Sequence, residues 1–408
     1  MVHAFPSPAA ALLLALLAGS PAFFGPVEAT AQSVAVSGEV RPRLESRTPP
    51  FPSAPDADLT VRLRAGMETG LGDGFRVFVA GQGVLLAGGE EGVTLDGQDP
   101  ELFAGFVEVS GLPGETSLRA GRQEVTLGNQ RLVSHNNWGQ RGQRFDAVRL
   151  SGRKGLGRWT LFGGRVAALD GYAPRLGGLH MELDLGEQGE VHGYLLGSRD
   201  RASGRASWPT GEPEQVDRVT LGGHGELPFR ALTLLVEGYV QRGKWGDDPV
   251  GAWMASAGVR SPLGPASLEV RWDLLSGDEG GGDGPPTGAF DRLRGSNHGF
   301  HGRVDVFTRF PASTEGEGFS DLRLQGTLPL GERLDMEGAI HRFATLVSPE
   351  SRATRLGEEV DVVLRGRPGS GVSMEVGAGY LRVGPALERL REARGDVRVL
   401  HAMVTFAF

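Results

Sequence analysis

The chain has 408 residues, no cysteine and a formal net charge of −8 at pH 7. The absence of cysteine excludes disulfide frameworks and thiolate metal sites. A mean hydropathy of −0.19 leaves two classes open, a soluble secreted protein and a transmembrane β-barrel, because a barrel presents its lipid-facing side chains only at every second position.

The N-terminal segment carries the features of a cleaved export signal. An apolar run spans residues 9–17, and Ala29-Thr30-Ala31 precedes Gln32 in an A-x-A pattern. Glycine and proline interrupt the apolar run well before the ~20 residues that a transmembrane helix needs. We therefore predict a signal peptide over residues 1–31. No shift in composition marks a boundary after it, so we predict one domain over residues 32–408.

Apolar and polar residues then alternate with a period of two, which is typical of β-strands. The pattern is clear at residues 61–66, 270–275, 322–327 and 360–365, and a helical period fits none of these segments. In a soluble sandwich the apolar face would cover a core. In an outer-membrane barrel it would face lipid, with the charged face towards the lumen.

Short turns rich in glycine and proline alternate with long polar connections, as expected of tight periplasmic turns and longer outer loops. The short turns fall at residues 70–73, 111–114, 152–156, 186–189, 227–230, 262–265, 329–332 and 367–371. The long connections include residues 87–100, 123–142, 200–215, 276–318 and 383–396.

Nineteen segments resemble strands, but single-chain bacterial barrels use an even number. Segment 298–307 lies between two long connections, so we assign it to an outer loop spanning residues 276–318. The prediction is an all-β, antiparallel up-and-down transmembrane barrel of 18 strands, with eight short turns, nine long loops and both termini in the periplasm. A barrel of this size leaves a water-filled lumen.

The last strand supports an outer-membrane location. Apolar residues alternate from Leu400 to the terminal Phe408. A final strand of this kind is a familiar mark of outer-membrane barrels, so we expect the barrel-assembly machinery to be a partner.

Arginine dominates the basic residues, since Lys154 and Lys244 are the only lysines. One arginine on a polar strand face would simply be solvated, but a set of them inside a pore favours anions. The arginines on predicted luminal faces are Arg62, Arg64, Arg119, Arg271, Arg323 and Arg365. We expect Asp146, Asp273 and Asp361 to pair with some of them.

Residues 118–150, LRAGRQEVTLGNQRLVSHNNWGQRGQRFDAVRL, resemble the signature of the alginate-export family of outer-membrane porins, in which a GRQ strand end leads through a long loop to a W-x-Q…RFD strand. RWDLLSGDE at 271–279, NHGFHGRVDVF at 297–307 and GFSDLRLQG at 318–326 also match. The resemblance implies an 18-stranded barrel with an arginine-lined constriction that passes an anionic polysaccharide outward. The residues that match the family's charged pore set are Arg122, Arg144, Asp146, Arg271, Asp273, Arg303 and Asp305.

The resulting hypothesis is a passive outer-membrane pore for anionic solutes that exports an alginate-like exopolysaccharide. Loop 276–318, which carries His301, Arg303 and Asp305, is the predicted gate. The expected partners are the polysaccharide, outer-membrane lipid, lipopolysaccharide and periplasmic secretion components. Scattered basic residues argue against nucleic acid. Two alternatives stay open: a general or small-anion uptake porin, and a plugged barrel that binds ligands at the cell surface.

Catalysis and metal binding are the remaining alternatives. Ser134-His135-Asn136 and Ser296-Asn297-His298 supply triad residue types, but working triads draw their members from separate segments, and the chain has no G-x-S-x-G elbow. Acidic, glycine-rich loops at 96–99 and 278–284 offer oxygen ligands for calcium without the spacing of an EF-hand. We predict no enzyme activity, no metal and no cofactor.

Overall fold

The computed structural model describes residues 33–48, 57–89, 92–95, 100–167, 173–201, 215–278, 285–296, 298–347, 352–391, 393 and 395–408. The predicted signal peptide, residues 1–31, lies outside the described residues. The described chain forms a closed antiparallel barrel of 18 strands, with one further short strand, β4. The strands are β1 (Val34–Arg47), β2 (Ala57–Gly70), β3 (Phe75–Gly89), β4 (Gly92–Leu95), β5 (Glu101–Leu112), β6 (Thr116–Gln123), β7 (Phe145–Lys154), β8 (Gly157–Val166), β9 (Arg175–Asp184), β10 (Glu190–Arg201), β11 (Gln215–Phe229), β12 (Leu232–Trp245), β13 (Asp248–Leu263), β14 (Ala266–Leu275), β15 (Phe319–Pro329), β16 (Leu334–Ala344), β17 (Arg355–Gly369), β18 (Val372–Val383) and β19 (Val397–Ala407).

The first and last strands close the barrel. On β1, Val40 lies opposite Leu63 of β2 on one side and opposite Phe406 of β19 on the other. Every other barrel strand pairs with its neighbours along the chain, and β4 adds to the edge of β3 beyond β5. The prediction of an 18-stranded up-and-down barrel is confirmed. As far as the structure describes them, the 18 barrel strands therefore have no free edge for pairing with other chains.

Alternate side chains along each strand point away from the lumen, and those on the outer face form an apolar band. Leu221, Ile340 and Leu400 on this face are 56%, 53% and 56% exposed. Exposure of so many large apolar side chains is typical of a lipid-facing surface. Among the described residues, no helix is long and apolar enough to cross a membrane.

The two ends of the barrel differ. The end called here the turn end carries eight tight turns and both ends of the barrel chain, where the Gly38 amide donates to the Phe408 carbonyl oxygen over 2.9 Å. The opposite end, the loop end, carries the long connections. One of its nine connections is short, because Gly246 and Asp247 alone join β12 to β13. The prediction of nine long loops is wrong at this position.

Two long connections fold into the barrel. They are the β6–β7 loop (residues 124–144) and the β14–β15 loop (residues 276–318, whose residues 279–284 and 297 are not described). Leu132 of the first loop and Phe290 and Phe307 of the second belong to the main apolar cluster, together with Phe319 and Phe343 of the wall. The lumen therefore contains a packed apolar core in addition to any water path. Segment 298–307 forms no strand and lies in the β14–β15 loop, as predicted.

A short helix, α1 (Pro385–Arg391), forms part of the connection from β18 to β19 and contacts β17. Its Leu387 and Leu390 side chains are buried in the same apolar cluster. Arg389 pairs with Glu317 of the β14–β15 loop at 2.6 Å. The helix therefore packs onto the inserted loop at the loop end of the barrel.

Candidate pore constriction

Arginines of β1 and β2 hold the β6–β7 loop against the inner wall. Arg41 donates to the carbonyl oxygens of Asn137 (2.6 Å) and Gly139 (2.9 Å) and to Gln140 Oε1 (2.9 Å). Arg62 donates to Asn137 Oδ1 (2.9 Å). Because a guanidinium carries five donors in a rigid fork, one arginine can bind several acceptors of the loop at once.

The same loop is tied to the wall formed by β12 and β14. Arg131 is fully buried and pairs with Glu237 at 3.1 Å and Asp273 at 2.7 Å. Burial by itself would lower the pKa of the Arg131 guanidinium, but the carboxylates of Asp273 and Glu237 outweigh burial and raise that pKa above its ordinary value. Arg271 completes the cluster, since it contacts Glu237 at 2.6 Å and Asp273 at 3.3 Å.

The two inserted loops contact each other inside the barrel. The Arg294 amide donates to the Leu132 carbonyl oxygen, and its own carbonyl oxygen accepts from the Ser134 amide, both over 3.0 Å. The Trp138 ring stacks on the His298 ring with 3.7 Å between centroids, and Trp138 Nε1 donates to Asp305 Oδ2 over 3.1 Å. The loops therefore form one constriction that is anchored to several walls.

The β14–β15 loop has its own anchors on β15, β16 and β17. Arg303 pairs with Glu337 at 2.8 Å, and the Val304 amide donates to Glu359 Oε1 over 2.8 Å. His301 Nδ1 lies 3.2 Å from Asp321 Oδ2. Burial of the His301 imidazole lowers its pKa to about 4, so this ring is neutral at pH 7.

Most of the arginines predicted to line the pore do face the lumen. Alternation with the exposed apolar residues of the same strands places these side chains on the inner face. The inward-facing predicted residues are Arg62, Arg64, Arg119, Arg271, Asp273, Arg323, Asp361 and Arg365. Arg303 and Asp305 belong to the inserted loop. Arg144, just before β7, is buried and pairs with Glu101 at 2.6 Å.

Arg122 and Asp146 lie on the outer face, contrary to the prediction of a luminal position. Arg122 Nε donates to Asp146 Oδ1 over 2.7 Å, and the two residues are direct cross-strand partners. Asp146 shares its side of β7 with the exposed Val148. Phe145 and Ala147 instead point inward, because the β6–β7 loop supplies apolar side chains inside the barrel for them to pack against.

Carboxylates accompany the luminal arginines around much of the wall. Arg260 lies between Glu226 (2.9 Å) and Glu269 (3.0 Å). Arg365 lies in the same way between Glu337 (3.1 Å) and Glu375 (2.8 Å). Each of these two arginines therefore contacts two carboxylates, and its positive charge is compensated within the wall.

The wall formed by β3 and β6–β8 carries an excess of positive charge. Its inward arginines, called here the basic wall patch, are Arg76, Arg119, Arg149, Arg153 and Arg158. In the part of the chain that the structure describes, three carboxylates contact them. Glu68 and Glu108 pair with Arg76 at 2.8 Å, Glu108 also pairs with Arg119, and Glu182 pairs with Arg158 at 2.6 Å. Among the described residues, no carboxylate lies within ion-pair distance of Arg149.

Like charges face each other directly within this patch. Arg119 of β6 is the cross-strand partner of Arg149 of β7, and Arg153 of β7 is the partner of Arg158 of β8. The patch borders a cavity of about 360 Å³ beneath Thr126 of the β6–β7 loop. Of these residues, only Arg119 was predicted; Arg149 and Arg153 follow Phe145 at intervals of four, and that spacing puts all three on one strand face.

The sequence comparisons agree with this architecture. The sequence model of the family described as alginate export matches residues 36–398. The chain belongs to the alginate-export family. The resemblance seen in residues 118–150 is thereby confirmed. No curated protein matches the chain.

Solved structures similar to this alginate-export family member are outer-membrane porins. OccAB1 of Acinetobacter baumannii has 11% identity, a TM-score of 0.61 and coverage of 92% of this chain and 96% of its own. OpdL of Pseudomonas aeruginosa has 12% identity, a TM-score of 0.65 and coverage of 92% and 99%. The outer membrane protein OprD of Pseudomonas aeruginosa has 13% identity, a TM-score of 0.58 and coverage of 92% and 93%. These identities support the fold alone. Family and fold together indicate an outer-membrane pore.

Two of the residues considered for catalysis, Ser134 and His135, contact polar side chains within the β6–β7 loop. Ser134 Oγ donates to Gln130 Oε1, and His135 Nδ1 lies 2.9 Å from Thr126 Oγ1. Asn297 lies outside the described residues, as do residues 96–99 and 279–284 of the acidic loops considered for calcium. In the described part of the chain, no group of three or more histidine, aspartate or glutamate side chains is arranged to hold a metal ion.

Proposed function

We propose that this outer-membrane pore conducts anionic solutes passively, and that its substrate is an alginate-like polyuronate leaving the periplasm. The observation that carries the proposal is the pair of like-charge contacts in the basic wall patch, Arg119 opposite Arg149 and Arg153 opposite Arg158. Like charges directly opposite on neighbouring strands are destabilising. A passing carboxylate would relieve this repulsion, which gives the arrangement a function in transport.

The chemistry of the patch suits a polyuronate. Such a polymer bears one carboxylate on each sugar, and the planar guanidinium fork matches a carboxylate in two parallel hydrogen bonds. Arg158 is 60% exposed, and its neighbours face the same space, so these arginines are accessible from the lumen. Low-dielectric walls would concentrate their field in the pore.

The arginines of β1 and β2 have a different role in this proposal. Arg41 and Arg62 are buried, and their donors are used by the β6–β7 loop and Glu39. They fix the loop and with it the width of the lumen. The basic wall patch, which lies nearer the turn end, would be the first strongly positive surface that an anion meets on its way outward.

Single-channel recording of the folded barrel in a planar bilayer tests the proposal. Replacement of Arg149 and Arg153 with glutamine removes two patch charges, and the matched control replaces Arg342 and Arg382, which are exposed on the outer face. An arginine about 4 Å from an anion contributes on the order of 1 kcal/mol in a water-like medium. We therefore expect the anion-to-cation permeability ratio, read from the reversal potential in a salt gradient, to fall about threefold or more in the luminal variant alone.

Polyuronate oligomers added on the turn side should block the wild-type current, and the luminal variant should need a higher oligomer concentration. A cation-selective wild-type channel, or equal selectivity in both variants, would contradict the anion assignment. An anion-selective channel that the oligomers do not block would indicate a small-anion uptake porin instead.

A second candidate is a plugged barrel that binds ligands at the surface. The observation that favours it is the apolar core inside the lumen, where Leu132, Phe290 and Phe307 pack against the wall. A barrel with no measurable single-channel conductance at any voltage would support this candidate over the pore.

A further inference from the structure

The outer face of the barrel carries an ordered charged surface near the loop end. Seven residues on β6–β12 are successive cross-strand partners, so they form one continuous row, called here the charged row. It consists of Arg122, Asp146, Arg165, Arg175, Arg199, Asp217 and Lys244. Each member lies within two residues of the loop end of its strand.

The charged row has an excess of positive charge. Its two carboxylates are each used by one neighbour: Asp146 by Arg122 at 2.7 Å and Asp217 by Arg199 at 2.6 Å. Arg165, Arg175 and Lys244 are exposed. Within the described part of the chain, none of these three makes an ion pair.

A shallow trough lies directly beneath the charged row. Two residues further along each strand towards the turn end lie Gly163, Gly177 and Gly197. They are successive cross-strand partners on β8, β9 and β10. Three adjacent strands therefore lack outward side chains at the same height. The resulting groove of about 570 Å³ is rimmed by Arg175, Arg199 and Arg242.

A row of leucines lies two residues beyond the glycines, again towards the turn end. Leu118, Leu150, Leu161, Leu179, Leu195 and Leu221 are successive cross-strand partners on β6–β11. This leucine row lies four residues along each strand from the charged row, which corresponds to about 13 Å. From the loop end towards the turn end, the outer face thus presents cationic side chains, then a groove without side chains, then leucines. This order matches the headgroup, the upper acyl chain and the hydrocarbon of a lipid.

We propose that this surface binds a phosphate-bearing saccharolipid of the outer leaflet, the lipid A part of lipopolysaccharide. Arg165, Arg175 and Arg199 contact its phosphates, and an acyl chain lies in the glycine groove. Charge complementarity selects the phosphates, and the loop end is the end that faces the outer leaflet if the tight turns are periplasmic. The inference stands apart from the proposed transport function, because these side chains point away from the lumen.

Native mass spectrometry of the folded full-length mature barrel in mixed micelles with lipid A tests the proposal. One variant replaces Arg165, Arg175 and Arg199 with glutamine. The matched control replaces Arg342, Arg382 and Arg398, which are exposed near the loop end of β16, β18 and β19, where Glu358 is the cross-strand partner of both Arg342 and Arg382. We expect the first variant to bind lipid A at least about tenfold more weakly than the control.

Equal lipid A binding by the two variants would overturn the proposal, as would displacement of lipid A by an equal concentration of phosphatidylglycerol. If the charge variant fails to fold, the variant Gly163→Leu with Gly197→Leu decides. An added Cβ at either position meets no atom within 4 Å, so this barrel should fold while its groove is filled. Weaker lipid A binding in it supports the proposal, and unchanged binding overturns it.

Discussion

Arg131 of the β6–β7 loop donates to Asp273 Oδ2 on the inner face of β14 over 2.7 Å, although the two residues are 142 positions apart in the chain. Both side chains are almost completely buried, with 1% and 5% exposure. Charges at this depth are compensated only while every member of the cluster is present, because without Arg131 the buried carboxylates of Asp273 and Glu237 would have to share Arg271. This contact therefore links the position of the loop to the integrity of the charge cluster.

Replacement of Arg131 with methionine should release the loop. The change leaves Asp273 and Glu237 with Arg271 as their common partner, and breaking a buried pair costs about 3–5 kcal/mol. We expect a loss of that order in the free energy of unfolding and a larger, noisier single-channel current. The control, Arg355→Met, removes an exposed ion pair at 3.2 Å with Glu358 and should cost less than ~1 kcal/mol. Equal losses in the two variants would contradict the anchoring role.

Gly128 fixes the same loop against the wall by close approach. A methyl group at this position would overlap the Tyr194 hydroxyl, whose oxygen lies 3.0 Å from His224 Nε2. We expect Gly128→Ala to displace the loop and lower the free energy of unfolding by about 2 kcal/mol or more, beyond the cost of backbone strain.

Gly155, in the tight turn between β7 and β8, is the matched control for that substitution. It has a similar backbone angle, φ 59° against 46° for Gly128, but an added Cβ there meets no atom within 4 Å. The alanine variants share the strain of a left-handed residue, so the difference between their unfolding free energies measures the steric overlap. Indistinguishable values would show that the loop does not pack tightly on Tyr194.

The barrel was predictable from sequence because its physical cause is local. Lipid contact at every second residue imposes a period of two, and closure demands an even strand number. That logic assigned segment 298–307 to a loop correctly. The same logic predicted a long loop where Gly246 and Asp247 alone join β12 to β13. Alternation identifies the two strands at this position, but it does not give the length of the connection between them.

The candidate site was less predictable, because its contacts depend on where the loops fold. The assignment of charged residues to the lumen failed for Arg122 and Asp146, since the apolar Phe145 faces inward against a loop core. Arg131 carries no strand periodicity at all, and its role depends on carboxylates more than 100 positions away in sequence. Only the folded chain brings these groups together.

Glu108 limits the positive charge of the basic wall patch, since it pairs with both Arg76 and Arg119. The Glu108→Gln variant keeps the shape of the side chain and removes this negative charge. We expect the anion-to-cation permeability ratio to rise about fivefold, in line with an added Coulomb attraction on the order of 1 kcal/mol. Glu358→Gln, on the outer face, is the control and should leave the reversal potential unchanged. A fall in the ratio for Glu108→Gln would show that this patch does not set selectivity.

His301 should make the docked β14–β15 loop sensitive to acid. Burial is the main cause that lowers its pKa from 6.5 to about 4, and the charge of Arg292 lowers it further. Asp321 and Asp273 raise this pKa, but they do not outweigh burial. The unfolded chain therefore takes up the His301 proton at a higher pH than the folded protein. The stability that depends on neutral His301 is complete above pH ~6.5 and is lost progressively as the pH falls towards 4. The full shift corresponds to about 3 kcal/mol.

A second imidazole, that of His341, contacts the same Asp321 carboxylate at 3.0 Å. The experiment therefore compares wild type with His301→Asn, measuring the free energy of unfolding in lipid vesicles at pH 7.5, 5.5 and 4.5. The advantage of the wild type over the variant should be constant near neutral pH and should shrink by up to about 3 kcal/mol in acid. Single-channel openings of the wild type should become more frequent over the same range. An advantage that does not change with pH, or that grows in acid, would rule out a buried neutral imidazole at position 301.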